Sequence, residues 1–508
     1  MKEKKINKKI IFDILAITLI AILCVSLSPK MLQNDTFYTI KIGEHIVQNK
    51  GIDMKDPFSW HENLSYTYPH WLYDVLIYLI YSVGGMAGIY ASTCVLAVIL
   101  GITIYKVNTK LAKNQSISFI ITIMAMIMLK SFIAARAQLV TFIFFVLEVY
   151  CIEKLCDTKE KKYGIALLII SILVANLHVA VWPFTFVLYL PYIVEYFLAV
   201  IEEKTAHKYG KEVKQGERIL IYKRPGVKLL IIFMILAILA GFLTPLGTTP
   251  YTYLIKTMIG NTTQSISEHQ PLVLINSTDV ICVTIVLLTL LIFTKTKLKV
   301  SDWIMLAGLT LLMFYSKRQT TIFALVGFII LNKLIYQFME DNEENIDEKL
   351  INIFTKPFGL TIITLFVLIL SFIFIKPIIR SPYINDSAYP VDMSTYIKTY
   401  FNNDFTNVRI YNEYNYGSYL LFEGIPVFID SRCDLYAPEY NEGQDIFSDF
   451  IKSSNLDVYF GDIFEKYDIT HVILYKNSKM NMIIEKTGLE NYKLIAEDLN
   501  FVFYEIEK

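Results

Sequence analysis

The 508-residue chain balances 47 Lys and Arg against 47 Asp and Glu, is 54% hydrophobic and only 19% charged. Soluble domains carry about 25% charged residues, so this balance excludes an ordinary soluble chain. Zero net charge leaves no basic footprint for a nucleic-acid partner and no acidic disordered arm. The cysteines Cys24, Cys94, Cys151, Cys156, Cys282 and Cys433 form no C-x-x-C, and only Cys433 lies in a soluble-looking region, so neither a disulfide framework nor a zinc ribbon is indicated. Richness in Lys, Ile, Asn and Tyr points to an AT-rich bacterial genome.

The chain opens with a Lys-rich stretch and an apolar run that continues to Ser28 without an A-x-A cleavage pattern, which predicts a retained first span. A crossing helix needs about 20 apolar residues. Spans are expected at 10–29, 86–105, 115–134, 137–155, 163–177, 179–201, 228–247, 278–294, 302–316, 319–338 and 357–377, eleven in all. Segment 71–83 is apolar but too short to cross, and Gly84-Gly85 breaks it, so it reads as interfacial. With 71–83 left out of the count, five Lys-rich segments share one side: 1–9, 106–114, 156–162, 202–227 and 295–301. The sixth segment on that side, 339–356, is mixed. The positive-inside rule then predicts a multi-pass protein of the cell membrane, with its N-terminus cytoplasmic and its C-terminal domain extracytoplasmic.

Three long regions face outward on this topology: 30–85, 248–277 and about 380–508. The first contains 36–49, with amphipathic helical spacing and Asn34 or Asp35 as its expected cap. The last shows strand-like runs at 408–411, 419–422, 426–430, 472–475 and 501–505, and helical runs at 392–401 and 441–453. The fold class expected is a mainly α polytopic membrane helix bundle, 1–380, followed by a C-terminal extracytoplasmic α/β domain, 381–508.

Polar residues collect at the outer ends of these spans. Asp35, Asp56 and His70 lie in the first outer loop. Arg136 and Gln138 lie between spans three and four, Asn176 and His178 between five and six, Glu268 in the second long loop, and Lys317 with Arg318 between nine and ten. Singly, each has a plain structural reading: a cap for Asp35, a turn for Asp56, headgroup contact for Arg136, Lys317 and Arg318, and backbone satisfaction for Asn176 and His178. Together they suit one chemistry. Moving a sugar from a lipid phosphate needs a base for the acceptor and cations for the departing phosphate. In the outer domain Asn412, Tyr419, Asp430 and Arg432 are further polar points, with Asp430 and Arg432 expected to pair on a strand face.

The order of these features resembles the GT-C superfamily of integral membrane glycosyltransferases. Several phrases are similar to a bacterial, uncharacterised glycosyltransferase-like branch: NDTFYTIKIGEHIVQNKGIDMKDPFSW at 34–60, HWLYDVLIYLIYSVGG at 70–85, ARAQL at 135–139, ANLH at 175–178, ISEHQPL at 266–272 and VRIYNEYNYGSYLLFEGIPVFIDSRCDLY at 408–436. The resemblance implies a polyprenyl-phosphate sugar donor, a glycan, lipid or protein acceptor, and contact with membrane lipid. It matches Asp35 to the early loop carboxylate, a base or metal-orienting group, and offers Asp56 as the second carboxylate. A divalent metal such as Mg or Mn is left open, because no D-x-D occurs near Asp35. The remaining readings are a transporter or flippase of envelope precursors, which would place ionisable groups at mid-membrane, and a non-enzymatic scaffold with a glycan-binding outer domain.

Overall fold

The computed structural model describes residues 8–209, 219–260, 266–441, 443–488 and 490–507, with the side chains of 206–209 outside the description. The chain divides into two compact units. One comprises Met1–Pro29, Tyr90–Thr244 and Glu268–Arg380, and the other Lys30–Ile89, Pro245–Ser267 and Ser381–Lys508. The second unit is thus wider than the 381–508 segment, because it takes in 30–89 and 245–267.

The first unit is almost wholly helical. Apolar runs without water to satisfy them close every backbone group into i→i−4 bonds. Among the described residues five helices are long and apolar enough to cross a membrane: Lys8–Leu27, Trp71–Ala112, Val179–Thr205, Lys317–Asn342 and Pro357–Arg380. Four shorter apolar helices, Ser116–Met128, Val227–Phe242, Thr278–Phe293 and Val300–Tyr315, fall short by length. Each of the eleven expected segments contains helix. Several are interrupted. Residues 179–201 form a 3-10 turn, a short helix Trp182–Val187 and the helix Leu190–Tyr209. Pro183 and Pro191 sit in first turns, where proline costs no hydrogen bond.

Buried polar groups tie this unit at one end. Asp347 Oδ1 accepts from the backbone N–H groups of Gln115 and Ser116 at 3.0 and 2.8 Å. Asn332 donates to Asn108 and Ser118 and accepts from Asn114. Glu153 accepts from Arg224 at 2.6 Å and from Lys333 at 3.2 Å, and Lys333 also reaches Asp302. Beside this cluster β1 (Ile219–Leu220) pairs in parallel with β2 (Leu298–Lys299).

The second unit carries a four-stranded sheet: β3 (Ile410–Tyr411), β4 (His471–Tyr475), β5 (Tyr492–Glu497) and β6 (Phe501–Ile506), in the order β3-β4-β6-β5. β3 is parallel to β4, and the other two pairings are antiparallel. Its helices include Asn34–Asn49, Thr249–Ile259, Val391–Tyr400, Tyr414–Phe422 and Ile446–Asn455. The long helix from Trp71 breaks at Gly85 (φ 56°, ψ −150°), a conformation that glycine tolerates.

Two expected strands are not strands. Residues 419–422 are the end of the helix Tyr414–Phe422. Four apolar residues fit either period, and here Tyr416, Tyr419 and Leu420 bury one helical face. Residues 426–430 make only one bridge, Val427 to Ser59. The Asn412 side chain stands in for a neighbouring strand: its oxygen accepts from Phe428 N at 2.8 Å and its amide donates to Ile429 O at 2.7 Å. Gly417 permits this closeness, since a Cβ there would lie 2.0 Å from Ile429 O.

The helix Asn34–Asn49 is seated by Phe37, whose ring meets Tyr389, Tyr419 and Phe422 at centroid distances of 5.0 to 5.5 Å. Further along, a Cβ on Gly43 would lie 2.0 Å from the carbonyl oxygen of Asp74. Gly43→Ala should therefore push the helix off its seat and destabilise the protein by about 1–3 kcal/mol. Denaturation of the detergent-solubilised protein measures this, and an unchanged midpoint would refute the tight contact.

Candidate functional site

The site in the second unit starts from the helix Asn34–Asn49. Its N-cap is Gln33, with no side-chain capping bond, so neither Asn34 nor Asp35 is the cap expected from the sequence. Asn34 instead donates its amide to Tyr414 O at 2.8 Å. Asp35 stands in the first turn, half-buried, where a negative charge suits the helix dipole.

Near Asp35 lies the turn Cys433–Tyr436. Burial pushes the Cys433 thiol well above its ordinary range, and the carboxylates of Asp434 and Asp35 push it further. Both acids therefore act on one thiol. Tyr253, from the helix Thr249–Ile259, donates its hydroxyl to Asp434 Oδ2. Tyr440 donates to Tyr253 O at 2.9 Å and shares a hydrogen bond with Thr257. Segments 30–89, 245–267 and 381–508 thus each supply part of one polar cluster: Asp35, Tyr253, Cys433 and Asp434.

One residue before this cluster, Arg432 is clamped. Its Nη1 donates to Asp56 Oδ1 at 2.7 Å, and its Nε and Nη2 donate to the two oxygens of Asp430 at 2.9 and 2.6 Å. Tyr436 adds a hydroxyl to Asp430 at 2.6 Å. The guanidinium lies over the rings of Tyr66 and Phe58. Side-chain exposure is 2% for Arg432 and 0% for both aspartates. Burial alone would raise the Asp56 pKa. Arg432 and the hydrogen bonds from Ser59 outweigh it and hold the carboxyl below its usual range. The expected Asp430–Arg432 pair is present, but in irregular backbone just before the turn Cys433–Tyr436 rather than on a strand. Asp56 belongs to this anchor and not to the cluster around Asp35. His70 lies just before the helix from Trp71, where its carbonyl accepts from Asp74 N at 2.9 Å.

The remaining candidates lie in the first unit. Arg136 Nη1 stands 3.6 Å from Glu268 Oε1. The loop 268–270 runs against 317–318 through Arg318 N to Glu268 O and Lys317 N to Gln270 O, both 2.9 Å. This brings Arg136, Glu268, Lys317 and Arg318 together, with His269 beside them. Burial lowers the His269 pKa, and the Arg318 cation lowers it further. Asn176 instead bonds the backbone, donating to Ile172 O and Leu243 O at 2.8 and 3.0 Å. His178 Nδ1 lies 3.3 Å from Thr141 Oγ1, and Gln138 is buried.

Among the described residues no group of three or more His, Cys, Asp or Glu side chains is arranged to hold a metal ion.

No family profile matches the sequence, and no curated protein matches it. The fold is similar to a crystal structure of the oligosaccharyltransferase of Archaeoglobus fulgidus tethered with an acceptor peptide containing the NVT sequon. The TM-score is 0.55, with 98% of this chain and 74% of that chain covered at 12% identity. The chain thus shares the fold of that oligosaccharyltransferase. The neighbour is archaeal, and the likeness to a bacterial branch stays with the phrases quoted above. Coverage of 98% takes in residues from all three segments of the second unit.

Asp434 and Tyr253 were not singled out from the sequence. Asp434 lies inside the quoted IDSRCDLY phrase, two residues past the predicted ion pair, but nothing local links either residue to Asp35.

Replacing Arg432 with Met leaves two buried carboxylates without a cation. It should cost about 3–5 kcal/mol in unfolding free energy, and a variant denaturing like the parent would refute the anchor. A second expectation concerns Glu413, which precedes the helix Tyr414–Phe422 and whose pKa burial raises to about 7. A raised acid pKa gives stability that is full below the unfolded value of about 4.3 and lost as pH rises through about 7. Glu413→Gln should therefore gain thermal stability relative to the parent between pH 5 and pH 8. Parallel melting curves across that range would contradict it.

Proposed function

We propose that this protein is a membrane glycosyltransferase. It moves a sugar from a polyprenyl-phosphate donor to an envelope glycan, lipid or protein acceptor on the extracytoplasmic face. The observation that carries this reading is a half-buried carboxylate, Asp35, in the first outer segment of a chain whose fold is GT-C-like over 98% of its length. The solved neighbour is an oligosaccharyltransferase with a tethered acceptor peptide, which favours a lipid-linked donor.

In this reading the acceptor's nucleophilic atom forms a bond to the anomeric carbon while the bond from that carbon to the phosphate oxygen breaks. The acceptor proton passes to Asp35, and the departing phosphate keeps the electron pair. Asp434, oriented by Tyr253, is the second carboxylate of the site in place of Asp56, whose role is to anchor Arg432. Within the first unit, Arg136, Lys317 and Arg318 form a group whose positive charge suits a phosphate. Gln138, Asn176 and His178 are further substrate-binding candidates in this reading.

Eleven spans with the N-terminus inside remain part of this proposal, and contacts within the first unit support it. Segments assigned to the cytoplasmic side meet one another: Lys9 with Glu348, Asp157 with Arg224, and Gln115, next to 106–114, with Asp347. On the side assigned outside, Arg136 meets Glu268, and near the outer ends of their spans Asn176 meets Leu243.

Asp35→Asn should lower transfer by about 10²–10⁴-fold, the usual worth of a general base, with fold and abundance kept. Arg318→Ala should chiefly raise the KM for donor. The assay is transfer from a polyprenyl-phosphate sugar by the purified protein in lipid nanodiscs. Full activity of Asp35→Asn would remove the base assignment, and substrate uptake by proteoliposomes without transfer would favour a transporter.

A further inference from the structure

The helix Thr249–Ile259 has two sides of different character. At 3.6 residues per turn, Thr249, Tyr253 and Thr257 fall together, and Tyr251, Ile255, Met258 and Ile259 fall within an arc of about 100° opposite them. The first side is engaged. Tyr253 is buried and donates to Asp434, its carbonyl accepts from Tyr440, and Thr257 shares a hydrogen bond with Tyr440. On the opposite side Ile255, Met258 and Ile259 are exposed by 60, 63 and 75%. Thr252 and Lys256 form a polar margin beside it.

Three large apolar side chains on one helical arc require a partner, and the chain itself indicates which. The preceding apolar helix, Val227–Phe242, ends with Leu239, Phe242 and Leu243 exposed by 56, 56 and 61%. Only residues 244–248 separate this end from Thr249, a link that fully extended spans about 20 Å. The link is not extended: Gly247 has φ 59°, and Thr249 N donates back to Leu246 O at 3.2 Å. A helix tethered this closely to the end of a lipid-type helix, with an aromatic at the edge of an aliphatic arc, has the chemistry of an interfacial helix.

We propose that Thr249–Ile259 lies on the bilayer surface, with Tyr251, Ile255, Met258 and Ile259 at the boundary of headgroups and acyl chains of the outer leaflet. Through Tyr253 the same helix fixes Asp434, so lipid contact sets the position of the cluster around Asp35. The lipid contact itself does not depend on the glycosyltransferase reading.

The test uses the full-length protein in phospholipid nanodiscs with the photocrosslinker p-benzoylphenylalanine at position 259. Lipid adducts at 259 are expected, and none with the crosslinker at Leu499, which is 92% exposed in the same unit. Met258→Trp provides a second measurement. Acyl-chain-brominated lipids should quench the added fluorescence at least twofold more than that of Leu499→Trp. Crosslinking to a second copy or another protein, or quenching equal at the two positions, would overturn the proposal. Tyr253→Phe should leave the lipid adduct unchanged and reduce transfer. A parent protein that transfers no sugar but still yields the lipid adduct would fail the functional reading alone.

Discussion

A guanidinium shut away from water between two carboxylates holds the second unit together. Arg432 cannot shed its charge, and it lies 376 residues from Asp56 and two from Asp430. Burying three charges is costly unless every one is paired and hydrogen-bonded. Here the guanidinium meets both acids, and Ser59 and Tyr436 supply further donors. Because the next two residues are Cys433 and Asp434, the ion pair decides where those groups stand. The cluster around Asp35 is therefore a consequence of packing beneath it.

The first unit solves a related problem differently. Its apolar helices leave little at mid-depth to specify their order, since one leucine-rich surface packs much like another. Specificity comes from groups that must find one another: Asn332 with three polar partners, Asp347 over two backbone N–H groups, and Glu153 between Arg224 and Lys333. Arg224 is also paired with Glu195 and stacked over Tyr192. Such polar contacts tolerate few wrong registers.

Much of the helical architecture was legible, because long apolar runs have few other ways to satisfy their backbone. The break at Gly85 and the helix over 36–49 were legible for equally local reasons. The runs at 419–422 and 426–430 were misread because four or five apolar residues carry no decisive period. What resolved them was distant, namely the Asn412 side chain and the missing Cβ of Gly417. The site was half legible. Asp35 stood out as a lone acid beside a predicted span, and Asp430 with Arg432 as a close pair. Asp56 was legible as an acid of the same loop, but sequence does not reveal that it pairs with Arg432. Tyr253 and Asp434 meet across 181 residues, and no local pattern records such a meeting.

The scattered origin of the second unit has a consequence in time. A ribosome adding about 5–20 residues per second needs roughly 20–75 s to pass from Asp56 to Arg432, which lie 376 residues apart. Throughout that interval segment 30–89 exists without the cation that its buried acid requires. Asp35 therefore gains Cys433 and Asp434 nearby only after about 400 further residues have been made. A chain halted before residue 381 would carry the helices of the first unit and an unassembled second unit. Assembly of the second unit therefore waits on residues 381–508, whatever has folded before them.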